Sequence, residues 1–268
     1  MTIASDVFRC IPGGAPLIVS VPHDGRAIPE NLRARMTADG RDMPDTDWHV
    51  ARLYEFVVDM DATLLVANYS RYVIDLNRPA GDTALYPGQV TTGLCPAQTF
   101  AGDDIYADGG GVRDEEKRRR IGRYWQPYHD KLASLLETTR AEHGYALLWD
   151  AHSIPSRVPR LFDGQLPVFN IGTYDGNSCA PPLAAAVHRV ATDSDYSTVV
   201  NGRFKGGFIT RHYGHPKTGI HALQLELAQR AYMDEESREF DEARAGSLRD
   251  TLAGMLKSYL QAGAGLKA

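Results

Sequence analysis

The chain has 268 residues, 43% of them hydrophobic and 24% charged, and a net charge of −5 at neutral pH. This is the composition of a globular protein long enough for a large core; it supplies no basic face for nucleic acid, although an acidic protein can still hold a locally positive pocket. No apolar run nears the roughly 18 residues of a membrane span, the opening MTIASDVFRC has no leader pattern, and Cys10, Cys95 and Cys179 are too scattered for a disulfide frame, so a cytoplasmic protein is expected.

In chain order, APLIVSVPH (15–23) is an apolar, β-branched run that predicts a buried strand. DTDWHVARLYEFVVDM (45–60) has apolar residues at helical spacing, with Asp45 or Thr46 as N-cap. ATLLVANYSRYVIDLNRP (62–79) reads as two strand-like runs broken by NYSR. Residues 80–112, rich in Gly, Pro, Asp and Thr, predict a long loop. One long helix is expected over 113–144, kinked at Pro127 and stopped at Gly144. Strand 145–150, strand 168–173, helix 181–193 and strand 197–202 follow. Two strand-like pieces lie within 206–234, and a C-terminal helix covers roughly 235–261. Strands alternating with helices, and no linker, predict a single α/β domain over 1–268 with a largely parallel or mixed sheet.

Active sites of open α/β sheets lie beyond the C-terminal ends of strands. His23 and Asp24 follow the first strand, Asn77 and Arg78 follow the run at 72–76, Asp150 and His152 end the run at 145–149, and Glu226 lies in the last strand-like run. Two histidines and carboxylates at one sheet edge suggest catalytic zinc, which takes three N or O ligands and leaves a position open. His23 and His152 are the expected ligands, with Asp47 as the third and Glu30 as its rival. Asp24 could orient a ligand instead, and His215 and His221 are outside candidates. Asp150 reads as a supporting acid and Ser153 as turn chemistry. Glu226, an acid in an apolar strand, needs a partner or a task, and it fits a general base. Arg71, Arg78 and Arg211 follow or interrupt apolar segments, and several guanidinium groups near a metal suggest an anionic substrate.

The blocks VPHDGRAIP, DTDWHVARLYEF, YSRYVIDLNRP, LLWDAHSIPS, NIGTYDGNSC, NGRFKGGFITRHYG and ALQLELAQRAYM, in this order over about 15–234, resemble the N-formylglutamate amidohydrolase family. The resemblance implies a zinc-carboxypeptidase-like fold, a mixed, twisted sheet flanked by helices. It implies zinc-dependent hydrolysis of N-formyl-L-glutamate to formate and L-glutamate, late in histidine degradation. The substrate would be a small dicarboxylate, with Asn77 and Arg78 on one carboxylate, Arg211 on the other or at its rim, and Arg71 on a carboxylate or the oxyanion. The carboxypeptidase His-x-x-Glu spacing is missing, because Arg26 stands three residues after His23. A deacylase of another N-acyl amino acid and a catalytically inactive ligand-binding member are the alternatives.

Overall fold

In the computed structural model, which describes residues 3–83 and 91–267, the apolar runs assemble into one mixed eight-stranded sheet. Its strands are β1 Ile3–Ala4, β2 Phe8–Ile11, β3 Leu17–Val21, β4 Thr63–Ala67, β5 Ala146–Ile154, β6 Phe169–Gly172, β7 Thr198–Val200 and β8 Ile220–Ala228. Their order is β1-β2-β4-β3-β5-β8-β6-β7. β4, β3, β5 and β8 are parallel, so their C-terminal ends share one edge. β2 and β6 run against this block on either side. The helices are α1 Glu30–Arg33, α2 Ala38–Asp42, α3 Val50–Leu53, α4 Asp114–Arg120, α5 Gln126–His143, α6 Pro181–Thr192, α7 Phe208–Tyr213 and α8 Glu242–Ala264. Among the described residues no helix is long and apolar enough to cross a membrane.

The central strands are predominantly apolar and buried along their length because both faces of the sheet are covered. Successive strand side chains point to opposite faces. Leu17, Val19, Val21, Leu147 and Trp149 therefore pack with Leu248, Leu252 and Leu256 of α8. Ile18, Leu65 and Leu148 pack instead with Tyr128, Leu132 and Leu136 of α5. Each such fully buried side chain contributes about 1.5–3 kcal/mol.

Several expectations change. The helix predicted over 45–60 shrinks to α3 and a 3₁₀ turn at Glu55–Val58, because His49 adopts a left-handed conformation (φ 63°) just before it. Asp45 is thus no cap; it is buried and accepts the Phe100 N–H at 2.8 Å. YVIDLN forms turns, with Val73 N–H donating to Ser70 O and Arg78 N–H to Asp75 O. Its apolar residues serve packing: Val73, Ile74 and Leu76 fill the α5 side of the core. The strand expected at 145–150 runs on to Ile154, and the C-terminal helix starts at Glu242.

GGFITRHY forms α7, not a strand; Ile209 and Tyr213 are four residues apart and both buried, which is helical spacing. The long helix is unbroken at Pro127. A π turn at Ile121–Trp125 joins α4 to α5, and Gly144 caps the end at φ 81°. Proline cannot donate to the carbonyl four residues back, and a wider turn immediately before it accommodates that loss. The short strands β1 and β2 were not anticipated. Part of the predicted 80–112 loop, residues 84–90, lies outside the described residues.

Candidate metal centre and cleft

From β3 the chain passes to β4 on one side and later to β5 on the other. The crevice beyond the C-terminal ends of β3 and β5 is therefore a topological switch point. β3 pairs with β5 only as far as Ser20 and Asp150. Beyond that, His23 has turned off the end of β3, while β5 continues beside β8 and aligns His152 with Glu226. The imidazole centroids of His23 and His152 are 4.9 Å apart.

Asp47 joins them from the turn before α3, not from a helical first turn. Its backbone N–H donates to His23 O at 3.1 Å. Its Oδ2 lies 2.9 Å from His152 Nδ1 and 3.7 Å from His23 Nδ1, and accepts the Ser153 N–H at 3.1 Å. One ligand atom from each of His23, Asp47 and His152 lies within 4.8 Å of the others, and all three residues are buried. His23 Nδ1 and Asp47 Oδ1 are buried without a hydrogen-bond partner. Such orphaned atoms are costly in a folded protein, and a cation between them would satisfy both. Two imidazoles and a carboxylate match the donor set of a catalytic zinc.

The surroundings fix the ligands. Asp75 Oδ1 accepts from His23 Nε2 at 2.8 Å, which puts the ring proton on Nε2 and leaves the Nδ1 lone pair toward Asp47. Asp75 Oδ2 accepts from Arg71 at 2.8 Å. His152 Nε2 lies 3.1 Å from Asp150 Oδ1 and 2.9 Å from Asn77 Nδ2. Asn77 Oδ1 accepts the Ile209 N–H at 2.8 Å, which orients its amide. Gly207 must be glycine here, because a Cβ would fall 2.3 Å from Asn77 Nδ2.

Burial disfavours every charge in this cluster, yet the mutual attractions prevail. Asp150 and Asp47 outweigh burial and hold His152 well above the usual histidine pKa. Burial would raise Asp47, but its hydrogen bond with His152 and the nearby His23 ring draw it below the usual carboxylate range. Burial would raise Asp75 too, and it is drawn down by His23, Arg71 and Arg78. Glu226 is the exception: burial pushes it up to about 8, against the pull of His152. Gln224 Nε2 donates to Glu226 Oε2 at 3.1 Å.

These groups open onto a cleft with about 620 Å³ of free space, counting its mouth. Arg71, Arg78 and Arg203 line it together with His23, Asn77, His152 and Glu226. Phe100, Ile154, Leu161 and Phe204 supply apolar wall. Arg71 reaches toward Asp47 Oδ1 at 3.5 Å and lies over the Phe100 ring at 4.8 Å. Arg78 is braced by Thr92, donating from Nε to its carbonyl at 2.8 Å and from Nη2 to its Oγ1 at 3.2 Å.

Arg211 is not among the described residues that line the cleft. α7 turns it onto Tyr174, 4.6 Å from the ring centroid, with Nε on Gly206 O. Glu30 is exposed at the start of α1 and stands outside the ligand cluster. Asp24 makes no hydrogen bond to a ligand among the described residues, and its Oδ1 is buried without a partner. His221, level with Leu147 near the start of β8, is far from the edge that carries His152, and His215 precedes that strand. Asp75, Arg203 and Gln224 were not singled out from sequence. Asp75 had a signal: an acid inside the apolar run YVIDL raises the same question as Glu226 does.

Asp75→Asn is expected to weaken zinc binding about 10–100-fold by unfixing the His23 ring. Competition against a chromogenic chelator measures it, and unchanged affinity would remove Asp75 from this role.

A family model described as N-formylglutamate amidohydrolase matches residues 15–233. The N-formylglutamate deformylase of Pseudomonas putida is 48% identical over 254 residues, covering 94% of this chain and 95% of the relative. That of Pseudomonas aeruginosa is 48% identical over 250 residues, covering 91% and 94%. The crystal structure of N-formylglutamate amidohydrolase from Ralstonia eutropha JMP134 matches with a TM-score of 0.81 at 29% identity, covering 95% of this chain and 97% of that one. A crystal structure of an Agrobacterium tumefaciens gene product, at TM-score 0.72 and 18% identity over 95% and 96% of the chains, shares the fold.

Proposed function

This chain belongs to the N-formylglutamate amidohydrolase family, and from that premise we propose that it hydrolyses N-formyl-L-glutamate to formate and L-glutamate, with Zn²⁺ held by His23, Asp47 and His152. The observation that carries the reading is the pair of orphaned ligand atoms on His23 and Asp47, clustered with His152 beside a cleft that a buried Glu226 and the guanidinium groups of Arg71, Arg78 and Arg203 line. When bound, zinc supplies a Lewis acid that polarises the formyl carbonyl.

Glu226 takes a proton from the attacking water and delivers it to the departing glutamate nitrogen as the C–N bond breaks. Arg71 stands across the cleft to meet negative charge developing on the formyl oxygen. Arg78 grips one substrate carboxylate, with Asn77 holding His152 beside it. Arg203 takes the second carboxylate, the place expected for Arg211. On this reading the reaction would fall late in histidine degradation, and the chain would work in the cytoplasm. The three free cysteines suit such a reducing compartment.

Formate release from N-formyl-L-glutamate, N-formyl-L-glutamine and N-acetyl-L-glutamate, with acetate followed for the last, tests the assignment. The dicarboxylate formyl substrate should lead in kcat/KM. Preference for the acetyl compound would instead make the chain a deacylase of another N-acyl amino acid. Arg78→Ala should raise KM for N-formyl-L-glutamate about 10–100-fold, the loss of a charged hydrogen bond. An unchanged KM would contradict the clamp.

A further inference from the structure

We infer that Trp125 and His129 are positioning residues for the substrate clamp: their ring N–H groups hold the Leu76–Arg78 backbone and thereby set where the Arg78 guanidinium stands. The inference rests on the reading of Arg78 as a carboxylate-binding group. Arg71, Asp75, Asn77 and Arg78 all ride on a segment without strand structure, so its carbonyls depend on donors from elsewhere. The long helix supplies them. Arg120 donates to Val73 O at 2.8 Å, His129 Nε2 to Leu76 O at 2.9 Å, and Trp125 Nε1 to Arg78 O at 2.9 Å.

The π turn lets one helix face do this. Trp125 and His129 are four residues apart within α geometry and share a face. Arg120 and Trp125 are five apart, and an α-helix would leave them about 140° out of line. The intervening π turn, closed by the Gln126 N–H on Ile121 O, brings residues five apart back to one side.

Both rings are themselves fixed. They stack with centroids 3.8 Å apart. His129 Nδ1 lies 2.9 Å from Tyr213 Oη, which leaves the Nε2 proton for Leu76. Beside these rings, with Phe208 5.7 Å from Trp125 and 5.5 Å from His129, α7 donates Phe208 N–H to Asn77 O and Ile209 N–H to Asn77 Oδ1. The clamp segment is held by two helices, and its backbone path follows the donors they offer.

Trp125→Phe removes the Nε1 donor and keeps a ring against His129. In zinc-loaded enzyme, KM for N-formyl-L-glutamate should rise about five- to tenfold, with kcat and zinc content near wild type. In an Arg78→Ala background the same substitution should change KM less than about twofold, because the positioned group is gone. A purely structural role predicts KM changes that multiply equally in both backgrounds, and that result overturns the inference. His129→Gln retains an Nε2 donor, and should keep the wild-type KM while His129→Leu raises it; equal values for the two also overturn it, even where Trp125→Phe fails to fold. If the wild-type enzyme releases no formate from N-formyl-L-glutamate, the proposed reaction fails. Wild-type turnover with an Arg78→Ala effect and no Trp125 effect defeats the positioning role alone.

Discussion

Glu226→Gln is expected to retain zinc at the wild-type level and to lose about 10²–10⁴-fold in kcat, the range that general acid–base catalysis contributes. The amide keeps the size of the side chain and its contact with Gln224, but it cannot take a proton. Glu226 is outside the ligand cluster, so metal content separates a lost base from a lost metal. Near-normal kcat would remove Glu226 from the reaction.

The same substitution carries a stability signature with a definite sign. In metal-free protein, burial holds Glu226 near 8, above its value in the unfolded chain. The folded state then binds more protons, so its advantage is present below the ordinary carboxylate range of about 4–5 and is lost as pH rises toward 8. Metal-free Glu226→Gln escapes that loss. Its Tm relative to wild type, measured in chelator, should be higher at pH 8 than at pH 5. A cation at the cluster would favour ionised Glu226 and shrink the difference.

Asp47→Ala should have an effect of comparable size, reducing zinc to below about a tenth of an equivalent and turnover by at least about 10³-fold. Two imidazoles alone lack the third donor that a catalytic zinc site requires. Asp47 also accepts from His152 and Ser153. Its removal therefore leaves buried donors unpaired at about 1–3 kcal/mol each, and Tm should fall as well. Full zinc occupancy with normal turnover in this variant would place the metal elsewhere.

The strands that frame the site were legible because they are buried on both faces. β3, β5 and β8 read as predominantly apolar runs, and whatever polar group interrupts or ends such a run asks for an explanation. That logic located His23, His152 and Glu226. It selected Asp47 from a helical first turn, whereas the residue sits before the helix and reaches the site through its backbone bond to His23 O.

What stayed hidden depends on long-range contacts without periodicity. YVIDLN looks like a strand, yet its Asp75 N–H is taken by Leu94 O and its carbonyls by side chains of the long helix. Arg203 and Arg211 lie in one short block, yet Arg203, in the irregular segment before α7, lines the cleft, whereas α7 turns Arg211 onto Tyr174. β2 alternates buried Phe8 and Cys10 with exposed Arg9, but four residues are too short a pattern to stand out from a loop. Its pairing is with β4, more than fifty residues away.

The central proposal is metal-dependent deformylation at a His23–Asp47–His152 centre. The direct measurement is formate release from N-formyl-L-glutamate by purified protein as isolated, after chelation, and after zinc is restored, with metal content determined for each sample. Turnover should follow zinc up to about one ion per chain, vanish on chelation and return on reconstitution. Undiminished formate release from metal-free protein would contradict it.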